Sequence, residues 1–182
     1  MSALTKTLRI VIAILVVIVV AALIWLLFIK KDDNSNSSAP PVHKTVANYS
    51  AAELPAAVSS ADNPVYWLGP KAGDQYELTL ISDGRAYIRY LPQGVPAESG
   101  ETYLTVGSYA FQDPTSELKK LGQRPGSRTF AVPGGGLGMA TGVGTQNVYV
   151  AYPDQNVEIE VFDPRNGSAE QAVKRGDLTP IR

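Results

Sequence analysis

The run from Ile10 to Ile29, IVIAILVVIVVAALIWLLFI, constrains this chain more than any other stretch. It holds no charge, no Gly and no Pro. At about 1.5 Å of rise per residue, a helix of this length spans roughly 30 Å, the thickness of a bilayer's hydrocarbon core. The expected layout is a short tail at 1–9, a transmembrane helix at 10–29 and everything later on one side of a lipid bilayer. A cleaved signal peptide fits less well, since secretory apolar regions usually run about 7–15 residues. The nearest small-residue pattern, Ser37-Ser38-Ala39, lies well beyond the run and is followed by Pro40. Flanking charge does not set the direction. Lys6 and Arg9 stand against Lys30, Lys31 and Lys44, while Asp32 and Asp33 count for little in the positive-inside rule. The Pro/Ser-rich stretch that follows and the lack of Cys point to an extracytoplasmic C-terminal part.

Residues 30–49, KKDDNSNSSAPPVHKTVANY, are polar with Pro40-Pro41 in the middle. Little here buries apolar surface, so a disordered linker is expected. A flexible coil of this length has an end-to-end distance of roughly 25 Å. Residues 50–182 then suffice for one domain with its own core. The single His of the chain, His43, falls in the linker without a His or Cys companion, and reads as a solvated residue rather than a metal ligand.

Composition excludes several chemistries. The chain has no Cys, which removes disulfides, thiol catalysis and thiolate zinc sites. With no His after His43, a Ser-His-Asp system is excluded from the domain. The net charge is −1 and no basic face is implied, so nucleic acid is not an expected partner. No cofactor, metal site or catalytic residue is nominated, and the chain leans away from an enzyme.

Local signals give an α+β domain. Ser50-Ala51-Ala52-Glu53 fits a capping box and predicts a helix at about 51–60, ended by Asn63-Pro64. Val65–Leu68 is a short β-prone run. Gln75–Ser82 and Ala86–Leu91 alternate around Asp83-Gly84, which predicts a hairpin closed by a type I′ turn. Thr102–Phe111 is a further strand, with Gly107 a candidate bulge. Asp113-Pro114 predicts N-cap and N1 of a helix that ends at Gly122 as a C′ glycine. Arg128–Val132, Leu137–Ala140, Asn147–Tyr152 and Val157–Phe162 read as strands, and Ser168–Lys174 as a terminal helix. The expected fold is an antiparallel sheet of about six to eight short strands with two or three short helices. Strands this close together, without helical crossovers, argue against a parallel sheet.

An internal echo is present. Val65-Tyr66…Pro70 with Asp74-Gln75 corresponds to Val148-Tyr149…Pro153 with Asp154-Gln155. Each half also has an Asp-Pro followed by a short basic-ended helix and a Gly (Gly122, Gly176). Duplication of a β-rich unit is one reading. Chance recurrence of hairpins and caps is the other.

The chemical motifs are weak. The stretch PGGGLGMATGVGTQ contains no P-loop lysine and lacks the third Gly of a dinucleotide fingerprint. It reads as tight turns or a rim loop, with ligand cradling as the alternative. Ser116-Glu117-Leu118-Lys119 matches S-x-x-K, but no K-T-G follows, and Ser116 reads as a first-turn helix residue. Glu158 and Glu160 share one strand face about 7 Å apart. That spacing could suit a carboxylate pair or part of a cation site, but the solvated face of a strand is the ordinary explanation. Tyr66, Trp67, Tyr87 and Arg89, with Gly134, Gly135 and Gly136, are the candidate surface for a glycan or peptide.

The segments VYWLGPKAGDQYELTLISDGRAYIRYLPQGV, LTVGSY, VPGGGL and VYVAYP resemble an uncharacterised group of bacterial proteins with one N-terminal membrane helix, found mainly in high-GC Gram-positive bacteria. The resemblance covers roughly residues 50–175 and implies a bacterial membrane protein. It carries no activity, cofactor or site residue with it. The expected role is a membrane-tethered domain that binds an envelope protein or polymer. A small envelope enzyme using carboxylate, Tyr or Arg chemistry is the alternative, and a cytoplasm-facing accessory domain is a third possibility.

Overall fold

The computed structural model describes residues 42–181. The expected tail at 1–9, the membrane helix at 10–29 and the linker up to residue 41 lie outside the described residues. Among the described residues, no helix is long and apolar enough to cross a membrane.

Chain order is β1 (Lys44–Tyr49), α1 (Leu54–Ala57) continued by a 3-10 turn (Val58–Ser60), β2 (Tyr66–Trp67), β3 (Asp74–Ile81), β4 (Ala86–Pro92), β5 (Thr105–Ala110), α2 (Pro114–Gly122), β6 (Ser127–Val132), β7 (Gly136–Thr141), β8 (Asn147–Ala151), β9 (Val157–Phe162), α3 (Ser168–Arg175) and β10 (Thr179–Pro180). Eight strands form one antiparallel sheet in the order β1-β3-β4-β5-β9-β8-β7-β6, and β10 pairs with β2. The sheet is therefore two four-stranded meanders, β1-β3-β4-β5 and β6-β7-β8-β9, joined where their last strands pair. The α+β expectation holds.

Each strand alternates, and the register brings like faces together. Tyr76 pairs with Tyr90 and Leu78 with Ile88. Ile88 pairs with Val106, Val106 with Val161, and Val161 with Val148. These side chains form a continuous apolar face with Leu54, Val65, Tyr66, Ala169, Val173 and Leu178 packed on it. The helices α1 and α3 and the short β2–β10 ribbon thus cover one side of the sheet. A buried Leu, Val or Ile side chain contributes about 1.5–3 kcal/mol, and this face is the main store of stability.

The other side is covered in two pieces only. Over β6–β8, α2 seats Leu118 against Met139 and Ala151. Over β1, β3 and β4 lies the segment from Gln93 to Leu104. Asn48 and Gln75 donate to the Val95 carbonyl at 3.0 and 2.6 Å. Arg89 grips the Glu77 carboxylate at 3.0 Å and donates to the Ser99 and Glu101 carbonyls. Between these two covers, β5 and β9 are bare on this side.

Four local expectations are corrected. First, the linker does not reach residue 49. Lys44–Tyr49 pairs residue by residue with Ile81–Tyr76, because β3 would otherwise present an open edge. The polar composition of the strand follows from its edge position. Second, the turn at Asp83-Gly84 is not type I′. Positive φ occurs at Gly84 alone (φ 87), whose N–H donates to the Ile81 carbonyl at 3.0 Å. Asp83 instead accepts from the Arg85 backbone and guanidinium, so the hairpin closes by a three-residue loop with a left-handed Gly. Third, Gly107 is in register between Tyr87 and Glu160 and forms no bulge. Fourth, Gly122 is the last residue of α2, not a C′ glycine, and the right-handed Gln123 follows it. The Thr129 methyl occupies the space a Cβ at Gly122 would need.

Two predicted caps form: Asp113 accepts from the Ser116 N–H at 3.2 Å, and Gly176 ends α3 at φ 86. The capping box forms only in part. Glu53 accepts from the Ser50 N–H at 2.8 Å, but α1 starts at Leu54 with Glu53 itself at the N-cap and no side-chain cap. This helix is shorter than expected, a single α turn followed by a 3-10 turn. The sequence echo is only half structural. The two Asp-Pro pairs follow the equivalent strands β5 and β9. The V-Y/D-Q echo instead sets β3 against β9, whereas the topology makes β3 the counterpart of β7.

The placement of β1 predicts a boundary. A chain beginning at Val42 should unfold cooperatively in urea, followed by Trp67 fluorescence. A chain beginning at Ser50 should be less stable by on the order of 2–4 kcal/mol, through loss of the half-buried Val46 and Tyr49. Equal midpoints for the two chains would show that β1 is dispensable.

Candidate functional site

The bare central strip of the sheet holds a cavity of about 250 Å³. It is lined by Tyr87 from β4, Thr105, Gly107 and Tyr109 from β5, Asn147 from β8, and Glu160 and Phe162 from β9. The register explains the gathering. Tyr87, Gly107 and Glu160 are cross-strand neighbours in one row, and Thr105 pairs with Phe162, which pairs with Asn147, in the next.

Gly107 shapes the site. Tyr109 leans back across it, and a Cβ at position 107 would stand 2.6 Å from the Tyr109 hydroxyl. This bend carries the hydroxyl to Glu160, to which it donates at 2.8 Å. The Tyr87 ring meets Tyr109 edge-on at 5.6 Å. Tyr149 lies beside Glu160 on β8. Burial pushes both the Tyr109 and Tyr149 hydroxyls well above the ordinary phenol range, and the carboxylate of Glu160 adds to the effect. These phenols therefore stay protonated and act as donors.

Glu158 sits on the same face, between Tyr109 and Ala151. Burial, helped by the negative charges of Glu160 and of Glu117 on α2, pushes its carboxyl up to about 7. The plain expectation of a solvated strand face for Glu158 and Glu160 is thus replaced by a half-buried pair among aromatic rings. Among the described residues, neither forms an ion pair. No group of three or more His, Cys, Asp or Glu capable of holding a metal occurs among them.

The residues expected from sequence divide between the two sides of the sheet. Tyr66 is buried at 3% exposure, stacks on Tyr152 at 5.7 Å and donates to Gln155. Trp67 is half-buried with its ring edge-on to Tyr76. Both lie on the helix-covered side. Gly134 and Gly135 form the exposed β6–β7 turn with φ of 81 and 82, and Gly136 is buried where the Tyr152 ring passes 2.8 Å from a would-be Cβ. Tyr66, Gly134 and Gly136 therefore meet through Tyr152, while Gly135 stays open to solvent. Arg89 is on the open side but is spent on Glu77 and the Gln93–Leu104 segment. Of the seven, Tyr87 alone lines the cavity.

Tyr109, Asn147 and Phe162 were not singled out by the sequence. The available signals were a Glu-x-Glu on an otherwise aliphatic strand and a Gly two residues before a Tyr. Neither indicates that α2 and the Gln93–Leu104 segment leave this strip uncovered.

The elevated Glu158 carboxyl makes stability fall with rising pH. The folded state keeps a proton that the unfolded state releases between its usual 4.5 and about 7. The contribution is complete below pH 4.5, is lost through pH 7 and is constant above. Glu158→Gln should flatten this decline and stabilise the domain at pH 8 by on the order of 1–3 kcal/mol. Urea unfolding at pH 5 and pH 8 measures it; an unchanged pH slope in the variant would remove Glu158 as the cause.

Comparison of the chain with protein-family models, with curated proteins and with solved structures finds no match. The chemistry of the site rests on its own residues.

Proposed function

We propose that this chain is a single-pass membrane protein of the bacterial cell envelope, held in the bilayer by residues 10–29, whose C-terminal domain binds an envelope protein or polymer on the extracytoplasmic side. The observation that carries the binding reading is the strip of sheet left uncovered among the described residues, with aromatic rings and a carboxylate without a Lys or Arg partner around an open cavity. Open concavities with a few polar groups among aromatic side chains are the usual form of a recognition site. The apolar run, the Pro/Ser-rich stretch after it and the resemblance to tethered bacterial proteins support the placement.

A second reading is favoured by one observation. A carboxyl held near neutral pH beside a second carboxylate is a general acid–base arrangement, and Glu158 with Glu160 would supply it in a small envelope enzyme. A bound polymer that is cleaved, with cleavage lost in Glu158→Gln while binding persists, would establish this second reading over the first.

Two measurements in intact cells test the proposal. Asn166 is exposed, and Asn166→Cys in this cysteine-free chain should react with a membrane-impermeant maleimide. Reaction only after lysis would place the domain in the cytoplasm. A photo-crosslinking amino acid at Phe162 should trap an adduct that the same group at the exposed Gln171 of α3 does not. Equal yields at the two positions would reject the open strip as the binding surface.

A further inference from the structure

We propose that the cavity between β4, β5, β8 and β9 receives an organic cation, specifically an alkylammonium group such as a lysine side chain of the bound partner. This inference rests on the reading of the open strip as a binding surface, and adds the ligand's chemical class.

The polar atoms of the cavity are mostly acceptors. Glu160 offers a carboxylate that has no cationic partner and already accepts from the Tyr109 and Tyr149 hydroxyls. Asn147 Oδ1 is buried without a hydrogen-bond partner. The Thr105 hydroxyl donates to the Tyr103 carbonyl at 3.0 Å, which leaves its lone pairs free. The Tyr109 hydroxyl has spent its proton on Glu160. A ligand that brings only donors suits a lining whose free groups accept, and a turn of the Asn147 amide toward it would pair an oxygen that is otherwise buried and unpartnered. An ammonium has three donors and no acceptor. A sugar hydroxyl brings both, and an anion meets the Glu160 carboxylate.

The domain builds the same constellation twice more and fills it from its own chain. Glu77 is paired with Arg89, which also lies 5.5 Å from the Tyr103 ring. Glu170 is paired with Arg128 and, at 2.6 Å, with Lys174, and both cations approach the Phe130 ring. In each case a carboxylate and an aromatic face share a cation, an arrangement favourable through both Coulomb and cation–π terms. Glu160, with Tyr87, Tyr109 and Phe162 around it, is the third constellation. Among the described residues no Lys or Arg pairs with its carboxylate or stands over its rings; Arg85 interacts with the Tyr87 hydroxyl but is paired with Asp83. A cavity of about 250 Å³ suits an ammonium on a short aliphatic stem.

The test uses the full chain in a neutral maltoside micelle, labelled with 3-fluorotyrosine, and three probes. These are Nα-acetyl-lysine methylamide, its ε-acetylated neutral analogue, and an N-acetylglucosamine oligomer. The lysine probe should shift the Tyr109 and Tyr87 fluorine signals saturably, with the signals assigned by Tyr→Phe replacement. The neutral analogue should bind at least about tenfold more weakly, and Glu160→Gln should weaken the lysine probe by a similar factor. Because Glu160→Gln keeps the shape and removes only charge, unaltered fluorine signals from Tyr76 and Tyr90 in the buried core will report that the variant is folded. Equal response to the lysine probe and its neutral analogue would overturn the cation assignment. A response to the sugar alone would overturn it too, while retaining the strip as a binding surface. Silence toward all three, with photo-crosslinking at Phe162 also unproductive, would overturn both readings.

Discussion

The antiparallel pairing of β5 with β9 is the contact on which the rest of this domain depends. It joins two meanders that are otherwise connected through α2, and it places Val106 against Val161 and Ser108 against Ile159, all nearly inaccessible to solvent. Each meander alone would be a four-stranded sheet with an open edge and half an apolar face. Joined, they make one eight-stranded sheet on which α1, α3 and the β2–β10 ribbon close a single core. The pairing also has a high sequence separation. Its closure therefore costs more loop entropy than that of the neighbouring hairpins.

The same pairing creates the candidate site. On the helix-covered side, the β5–β9 seam is filled by aliphatic residues. On the other side, the two halves bring separate covers. The N-terminal meander folds Gln93–Leu104 over itself through Arg89 and Glu77, and the C-terminal meander seats α2 over β6–β8. Neither cover reaches the part of the seam formed by Thr105, Gly107, Glu160 and Phe162. Gly107 removes a side chain from its centre, Tyr109 bends into the gap, and the Glu residues of β9 are left half-buried with aromatic neighbours. Burial then does the chemistry: it keeps the Tyr109 and Tyr149 phenols protonated, and it holds the Glu158 carboxyl near neutrality.

Ion pairing covers only part of the acidic groups among the described residues. Glu77, Asp83, Glu98, Glu117, Asp163, Glu170 and Asp177 each have a Lys or Arg within ion-pair distance. Most of these pairs are exposed and contribute little to stability. Among the carboxylates without such a partner, Glu158 and Glu160 stand apart because they are neighbours on one strand face, half-buried among aromatic rings.

Much of the fold was legible in the amino-acid sequence because it is set by local physics. Alternation placed β3, β4, β8 and β9. Asp113-Pro114 marked the start of α2, and Gly176 the end of α3. The twenty-residue apolar run is a local signal of the same kind, and its proposed place in a membrane comes from sequence. Composition alone removed thiol chemistry from consideration, whereas His43, assigned to the linker on sequence, is held just before β1 by hydrogen bonds of its backbone to Ser82. What sequence misread was non-local. Lys44–Tyr49 has linker composition and becomes a strand only because β3 offers it an edge. Tyr66 and Trp67 look like a surface pair, yet β10, more than a hundred residues later, pins them over the core. Glu158 and Glu160 look solvated because a strand's alternation shows which face a residue takes, but not what else covers that face. That is decided by where α2 and the Gln93–Leu104 segment come to rest, and so only the tertiary structure exposed the strip between them.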